Sequence, residues 1–257
     1  MDRVTAPPVR LQTEGTLATL TLQRGERANA LTADMVDLML SGVEAAQAAA
    51  CTVLVIRSAE RQFCGGFDLG LDTSDPTASA VLTLRFLRIG LLLERVMTSG
   101  MLTIAAVEGP AIGAGADLVA ACDVRIGTER ARFRFPGSAF GVVLGVSRLS
   151  QLVGPARAVQ LGASGAVLDA HAASASGLLT EVVADGRLED AVRETVDAVH
   201  RSPGVLAALK EATQQRDPAG LGSLARSLAR SPDLAGSLAH YTRGSLPGPA
   251  RCQHDER

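Results

Sequence analysis

Residues 109–118, Gly-Pro-Ala-Ile-Gly-Ala-Gly-Ala-Asp-Leu, form a glycine-rich stretch between an apolar run and a helical pattern. The apolar run, residues 102–107, predicts a buried strand, so the stretch is predicted to be a turn that opens a helix. Such a turn leaves backbone N–H groups unpaired at the positive end of the helix dipole, where a phosphate or a developing oxyanion can bind. Gly113 and Gly115 permit left-handed or crowded backbone. Tight strand-to-helix turns also use glycine for steric reasons alone.

A second glycine-rich turn lies at residues 63–69, Phe-Cys-Gly-Gly-Phe-Asp-Leu, after a predicted strand at 52–56. It is predicted to end at the start of a helix, with Asp68 as the cap or as an acid of the first turn. Two turns that present amides can face each other. Two N–H groups aimed at one carbonyl oxygen form an oxyanion hole.

The length permits one large domain or a domain with a small appendage, and the order of the predicted elements given below is compatible with α/β or α+β. The chain has 257 residues, of which 47% are hydrophobic and 3% aromatic, with no tryptophan and a mean hydropathy of +0.20. Leucine, valine and alanine must therefore fill the core. The formal net charge of −2 gives no electrostatic support for binding to nucleic acid or to a membrane surface.

Four widely spaced cysteines without a CxxC pair predict a reduced, cytoplasmic protein without a zinc site. The first residues contain no apolar signal-peptide core, and no apolar run reaches membrane-spanning length. No metal and no separate cofactor are expected. Residues 246–257 are predicted to be a disordered tail.

Strands and helices are predicted to alternate along most of the chain, followed by helices only. Predicted strands lie at 17–22, 52–56, 102–107, 123–126 and 181–183, with a short extended piece at 131–136. Predicted helices lie at 33–49, 80–99, 146–153, 156–161 and 188–199, before three helical pieces that begin near Pro203, Pro218 and Pro232. Residues 1–10 are predicted to be an irregular lead-in.

Five segments in this order resemble the enoyl-CoA hydratase/isomerase family, which has the crotonase fold. Residues 24–31 resemble R-P-x-x-x-N-A-L, with glycine at the proline position, and residues 63–69 resemble F-C-A-G-A-D-L. Residues 104–123 resemble I-A-A-V-N-G-x-A-x-G-G-G-x-E-L-x-x-x-C-D. Residues 152–158 resemble L-V-G-x-x-R-A, and residues 173–183 resemble A-x-x-x-G-L-V-x-x-V-V.

The resemblance covers roughly residues 17–244 and implies an α/β fold with three parts. Residues 1–195 would form a crotonase-like spiral of ββα units. Residues 196–245 would form a helical C-terminal trimerisation region, and 246–257 the tail. The implied assembly is a homotrimer or hexamer. The implied substrate is an acyl-CoA thioester, with CoA as part of the substrate, and the enzyme would be a lyase or isomerase of fatty acid metabolism.

The same resemblance places functional residues along the chain. The amides of Phe67 and Ala114 would hold the thioester oxygen, with Asp117 as the general acid or base. Arg27 would lie near a CoA phosphate and Ala28 near adenine, and Arg243 would reach CoA from a neighbouring subunit. The positions implied to bind substrate are Arg27, Ala28, Phe67, Asp68, Leu69, Gly70, Gly113 and Ala114.

Several of these residues also have a purely structural interpretation. The two amides can simply cap helices, Asp68 can be a structural cap, and Arg27 can be a solvated loop charge. The four histidines fall in helical or tail contexts, which favours surface positions. A nucleotide-binding protein is a weak alternative, because no Lys-Ser/Thr follows the glycine turn.

Hydration of a double bond normally requires two acid/base groups. The family hydratases use two glutamates; here the first position is Asp117, and the second falls on Gly137, which leaves that catalytic position vacant. Ser138 is a weak substitute unless a base activates it. Phe67 is bulky where alanine is common, which predicts a narrower acyl entrance. An acid from Glu108 or from residues 72–80 could still reach the site.

The resemblance, together with these departures from it, therefore implies an acyl-CoA enzyme that stabilises a thioester enolate and uses one carboxyl group. Isomerisation, decarboxylation and hydrolysis through the enolate all fit this description, and slow hydration stays open. The alternative is an acyl-CoA-binding or partner subunit that has lost its chemistry.

Overall fold

The structure, a computed structural model, describes residues 6–70, 72–213 and 218–244. The strands are β1 Val9–Glu14, β2 Leu17–Leu22, β3 Val53–Ser58, β4 Leu102–Val107, β5 Pro110–Ile112, β6 Val124–Thr128, β7 Arg132–Arg134, β8 Leu168–Asp169 and β9 Glu181–Val183. The helices are α1 Ala33–Ala48, α2 Ala78–Thr98, α3 Ala114–Ala121, α4 Val146–Val153, α5 Pro155–Ser164, α6 Ala170–Ala175, α7 Leu188–Asp197, α8 Pro203–Thr213, α9 Pro218–Ala229 and α10 Leu234–Gly244. Short 3-10 helices occupy Gly25–Arg27 and Gly137–Phe140.

A six-stranded sheet with the order β1-β2-β3-β4-β6-β9 forms the centre of the fold. Only the β1–β2 hairpin is antiparallel; the other four pairings are parallel. Residues 53–56 of β3 are all buried, which is typical of a parallel strand covered on both faces. In the register, Val53 pairs with Leu17 on one side and with Leu102 on the other. A smaller sheet has the order β5-β7-β8.

Helices cover the two faces of the large sheet. Helix α1 buries Met35, Met39 and Val43 at helical spacing, and the Thr32 hydroxyl accepts a hydrogen bond from the Met35 amide to cap its start. On the other face, α7 packs Leu188 and neighbouring apolar residues against β3, β4 and β6. No helix of the described residues is both long and apolar enough to span a membrane.

The structure confirms the predicted strands and helices and corrects the sequence analysis at two places. Val9 begins strand β1, so residues 1–10 are not wholly an irregular lead-in. Asp68 caps no helix, because the next helix begins only at Ala78. Its carboxylate instead accepts from the Gly70 amide at 2.8 Å and from Arg24 at 2.6 Å, which makes a local turn. The predicted tail at 246–257 lies outside the described residues.

Candidate functional site

The two glycine turns lie against each other in the structure. The Ile112 amide donates to the Cys64 carbonyl at 2.9 Å, which joins the turns through their backbones. Gly66 has a φ of +88°, and a Cβ built there would lie 2.5 Å from the Ile112 carbonyl oxygen and 3.3 Å from the Ala114 nitrogen. Only glycine permits this contact, because any side chain would push the two turns apart.

The amides of Phe67 and Ala114 have no hydrogen-bond partner in the described part of the chain. Phe67 forms a parallel bridge with Leu31 in which the bonded groups are the Gly66 carbonyl and the Asp68 amide, so its own N–H points elsewhere. Ala114 is the first residue of α3 and has no intrahelical acceptor. Two free donors therefore lie in adjacent turns, as an oxyanion hole requires.

Both turns open onto a cavity of about 120 Å³. Seven of the residues singled out from the sequence line this cavity, namely Phe67, Leu69, Gly113, Ala114, Asp117, Gly137 and Ser138. Most of the remaining wall is aliphatic or aromatic. The cavity thus combines two amides, one carboxyl group and an apolar lining.

Asp117 provides that carboxyl group from the first turn of α3 and is 6% exposed. Its Oδ1 is buried and has no hydrogen-bond partner among the described residues. A Cβ built at Gly145 would overlap this oxygen, so the glycine makes room for the carboxyl group. Burial raises the pKa of Asp117 well above its ordinary value. A carboxyl group of this kind is a stronger base than a solvated aspartate.

Gly137 has no side chain, and the backbone around it leaves no room for one. A Cβ built there would lie 2.7 Å from the Val142 carbonyl oxygen, so the backbone occupies the space that a side chain would need. The neighbouring Ser138 also lines the cavity, but its hydroxyl is exposed and donates to the Gly162 carbonyl. Neither residue replaces the missing acid.

The loop at residues 24–31 is held against the turn at residues 63–69 by a buried asparagine. Asn29, fully buried with a φ of +53°, accepts from the Arg24 amide at 2.7 Å and donates to the Phe63 carbonyl. Asparagine tolerates this left-handed backbone better than most residues. The Ala28 carbonyl accepts from the Gly65 amide at 2.7 Å, so Ala28 lies beside a residue of the cavity wall. Arg27 is exposed.

Asp68 lies outside the cavity wall and forms an ion pair with Arg24. Burial opposes its ionisation, but hydrogen bonds from the Gly70 amide and the Arg24 guanidinium outweigh burial and lower the pKa of Asp68. These contacts give Asp68 a structural role in a local turn, although it is not the predicted helix cap. Arg85 stacks over the Phe67 ring, with 4.2 Å between the guanidinium carbon and the ring centroid.

Several other candidates do not reach the cavity wall as the structure describes it. Glu108 faces a different surface pocket, and residues 72–80 use their two aspartates in local turns with Ser74 and Thr77. Gly70 and Arg243 also lie outside the wall, and Arg243 is exposed. The described histidines, His171, His200 and His240, are exposed as predicted. His254 and Cys252 lie outside the described residues.

Sequence reasoning missed most of the aromatic part of the wall. Phe86 comes from α2, Phe140 from the second 3-10 helix and Tyr241 from α10. Nothing in the local pattern of these elements marks the three residues as neighbours. The scarcity of aromatic residues in the chain is the signal that could have drawn attention to them.

Comparisons with known proteins identify the family of this chain. The sequence profile of the enoyl-CoA hydratase/isomerase family matches residues 12–222. A probable enoyl-CoA hydratase of Mycobacterium leprae is 35% identical over 188 residues, covering 70% of this chain and 71% of its own length.

Solved structures also resemble the whole fold. A Bordetella parapertussis protein assigned as an enoyl-CoA hydratase/isomerase superposes with a TM-score of 0.84 at 35% identity, covering 94% of this chain and 100% of its own. A Thermobifida fusca protein assigned as an enoyl-CoA hydratase, solved with acetoacetyl-CoA, gives a TM-score of 0.73 at 27% identity, over 88% of this chain and 94% of its own. The fold is the crotonase fold, and the chain belongs to the enoyl-CoA hydratase/isomerase family.

Proposed function

We propose that this protein moves the double bond of an enoyl-CoA thioester from the β,γ to the α,β position, with Asp117 as its one proton carrier. The observation that supports this most directly is the contrast between the paired free amides and the lone carboxyl group. Isomerisation needs an oxyanion hole and one group that removes and returns a proton, whereas hydration also needs a second group to activate water.

In this proposal the thioester oxygen accepts hydrogen bonds from the Phe67 and Ala114 amides. The Asp117 carboxylate removes a proton from the α-carbon, the C–H electron pair forms a double bond between the α-carbon and the thioester carbon, and the carbonyl π pair moves onto the thioester oxygen. Protonated Asp117 then returns the proton to the γ-carbon as the carbonyl re-forms. Because the carboxylate starts the reaction, turnover rises with pH through the elevated pKa of Asp117.

Hydration is disfavoured because the cavity offers little to hold a water molecule opposite Asp117. Gly137 has no side chain, and the Ser138 hydroxyl donates to the Gly162 carbonyl instead of pointing a free O–H at a substrate. An apolar wall also binds water poorly.

The test compares two assays that follow the absorbance of the α,β-enoyl thioester. With 3-hexenoyl-CoA the absorbance should rise as the double bond shifts; with crotonyl-CoA its loss through hydration should be at least 100-fold slower. Hydration of crotonyl-CoA at a rate equal to or above isomerisation would overturn the proposal.

The second candidate is an acyl-CoA-binding subunit without turnover, which the closed backbone at Gly137 favours. Calorimetry separates the two. Binding of acyl-CoA with no isomerisation, hydration or α-proton exchange supports the binding subunit.

We also propose that the chain assembles as a homotrimer or hexamer. Val205 and Leu209 on α8 are 46% and 53% exposed, which leaves apolar surface for a second copy. Light scattering coupled to size exclusion gives the mass; a monomer at micromolar concentration contradicts this proposal.

A further inference from the structure

Aromatic residues are rare in this chain, yet they concentrate at the cavity. The chain has six phenylalanines, one tyrosine and no tryptophan. Five of these seven side chains line the cavity, namely Phe67, Phe86, Phe135, Phe140 and Tyr241. The other two, Phe63 and Phe133, are fully buried elsewhere in the core. Most of the aromatic side chains of this protein therefore lie around the cavity, whereas leucine, valine and alanine fill most of its core.

Four of the five rings form a continuous row. The Phe67 and Phe86 rings are stacked, with centroids 4.4 Å apart and planes at 20°. The Phe86 and Phe140 centroids are 6.0 Å apart, and the Phe140 and Tyr241 centroids are 5.2 Å apart. These separations are close to those of favourable aromatic pairs. The row begins at Phe67, whose amide is one of the two free donors, and extends to α10.

The size of the cavity suits one ring better than a long chain. Its volume of about 120 Å³ is close to the roughly 150 Å³ of an apolar protein cavity that binds benzene. The wall beyond the aromatic row is aliphatic, with Val142, Leu144 and Val146. A long saturated chain is too large for this cavity and would have to extend out of it.

The charged residues of the cavity wall disfavour acyl groups that end in a carboxylate. No arginine or lysine lines the cavity in the described ranges, and Asp117 is the carboxyl group on its wall. An acyl chain that ends in a carboxylate would therefore be buried without a cation to pair with it, which is strongly unfavourable.

We infer that the acyl group of the preferred substrate carries an aromatic ring, which lies against the row Phe67–Phe86–Phe140–Tyr241. This inference rests on the function proposed above and adds the substrate class to it. A planar ring gains offset or edge-to-face contacts with the row that a saturated chain of the same carbon number cannot make. The ring then fills the enclosed cavity, and the thioester oxygen meets the Phe67 and Ala114 amides on its wall.

The test is calorimetric binding of two saturated thioesters with nine acyl carbons each, 3-phenylpropanoyl-CoA and nonanoyl-CoA. Neither has a double bond to move, so binding is measured without turnover. The phenyl compound should bind about tenfold more tightly. Equal binding, or tighter binding of nonanoyl-CoA, overturns the inference but leaves the proposed function intact. If neither thioester nor acetyl-CoA binds, the proposed function fails and the inference fails with it.

Substitutions in the aromatic row test whether the preference for the phenyl compound depends on contacts with these rings. Phe140→Leu and Tyr241→Leu should each reduce the phenyl preference by about two- to tenfold, the range of one aromatic pair. Tyr241→Phe keeps the ring and should retain the preference. Phe133→Leu is the matched control, because it removes a buried ring outside the cavity. Loss of the preference in Phe133→Leu, or its retention in both leucine variants of the row, contradicts the inference.

Discussion

The cavity wall has two functional parts: the first side consists of the free amides of Phe67 and Ala114, which two turns present, and the second side consists of Asp117 and of Gly137, which has no side chain. The first side is built from backbone and needs only glycine at the contact between the turns. The second side depends on side chains. Glycine at position 137, where the family hydratases have their second glutamate, leaves Asp117 as the remaining acid/base group of that side. In the function that we propose, binding of an oxyanion is therefore retained, while the acid/base groups are reduced to Asp117 alone.

Asp117→Asn should have the largest effect, because it removes the one carboxyl group of the second side. Asparagine has nearly the same shape but cannot carry the proton. Isomerisation should fall by about 10²–10⁴-fold, the usual contribution of general acid–base catalysis, with acyl-CoA binding retained in calorimetry. Full activity in Asp117→Asn would show that another group transfers the proton.

Ala114→Pro should have the next largest effect, because it deletes one amide donor of the first side. Ala114 is the first residue of α3, where proline fits a helix and removes only an N–H that lacks an intrahelical acceptor. Turnover should fall by about 10²–10³-fold. Ala114→Gly keeps the N–H and should lose far less, and circular dichroism checks that both variants fold. Equal losses in the two variants would contradict a role for the amide.

Gly137→Glu should destabilise the protein without restoring hydration. The new Cβ would meet the Val142 carbonyl oxygen, and overpacking of this kind costs about 1–3 kcal/mol. Gly204→Ala is the matched control, because a Cβ built at Gly204 meets no heavy atom within 4 Å. Chemical denaturation gives the free energies of unfolding, and crotonyl-CoA gives the hydration rate. A stable Gly137→Glu variant that hydrates crotonyl-CoA would show that the position is merely empty.

The smallest expected effect is a gain of stability in Asp117→Asn. The folded pKa of Asp117 is raised by burial, so between its unfolded and folded pKa values the unfolded state binds fewer protons and stability falls as pH rises. Asparagine avoids this loss and should be more stable by about 0.5–2 kcal/mol at pH 7. The difference should shrink towards pH 4, near the ordinary pKa of aspartate. Thermal melts from pH 4 to 8 measure it, and a difference independent of pH would contradict the raised pKa.

Much of the fold and half of the site could be predicted because their signals are local. The apolar run of β4 followed by glycines predicted the strand, the turn and helix α3. Asp68 was misassigned as a helix cap because the same short side chain makes helix caps and isolated turns, and only its Arg24 and Gly70 partners distinguish them. The missing acid at Gly137 was visible in the sequence, but its closure by the Val142 carbonyl was not, since that contact depends on the path of the 3-10 helix.

The aromatic row could not be predicted, for a different reason. Phe86 and Tyr241 are far apart in the chain and meet Phe140 only because α10 packs across α2 and the second 3-10 helix. No periodicity within one element reports such a contact. Residues from distant elements that determine which acyl group a cavity accepts are therefore harder to predict from sequence than the residues of its turns.

The most direct test of the one-carboxyl account is the isomerisation of 3-hexenoyl-CoA in D₂O, with the deuterium at the γ-carbon of the product measured by mass spectrometry and NMR. The γ-carbon of the substrate already carries one hydrogen, so a single buried carboxyl group that moves the same proton from the α- to the γ-carbon predicts that a substantial fraction of the product has CH₂, without deuterium, at that carbon. One deuterium at the γ-carbon (CHD) of every product molecule from the first turnovers would contradict transfer by Asp117 alone and would point to a second, solvent-exchanging acid.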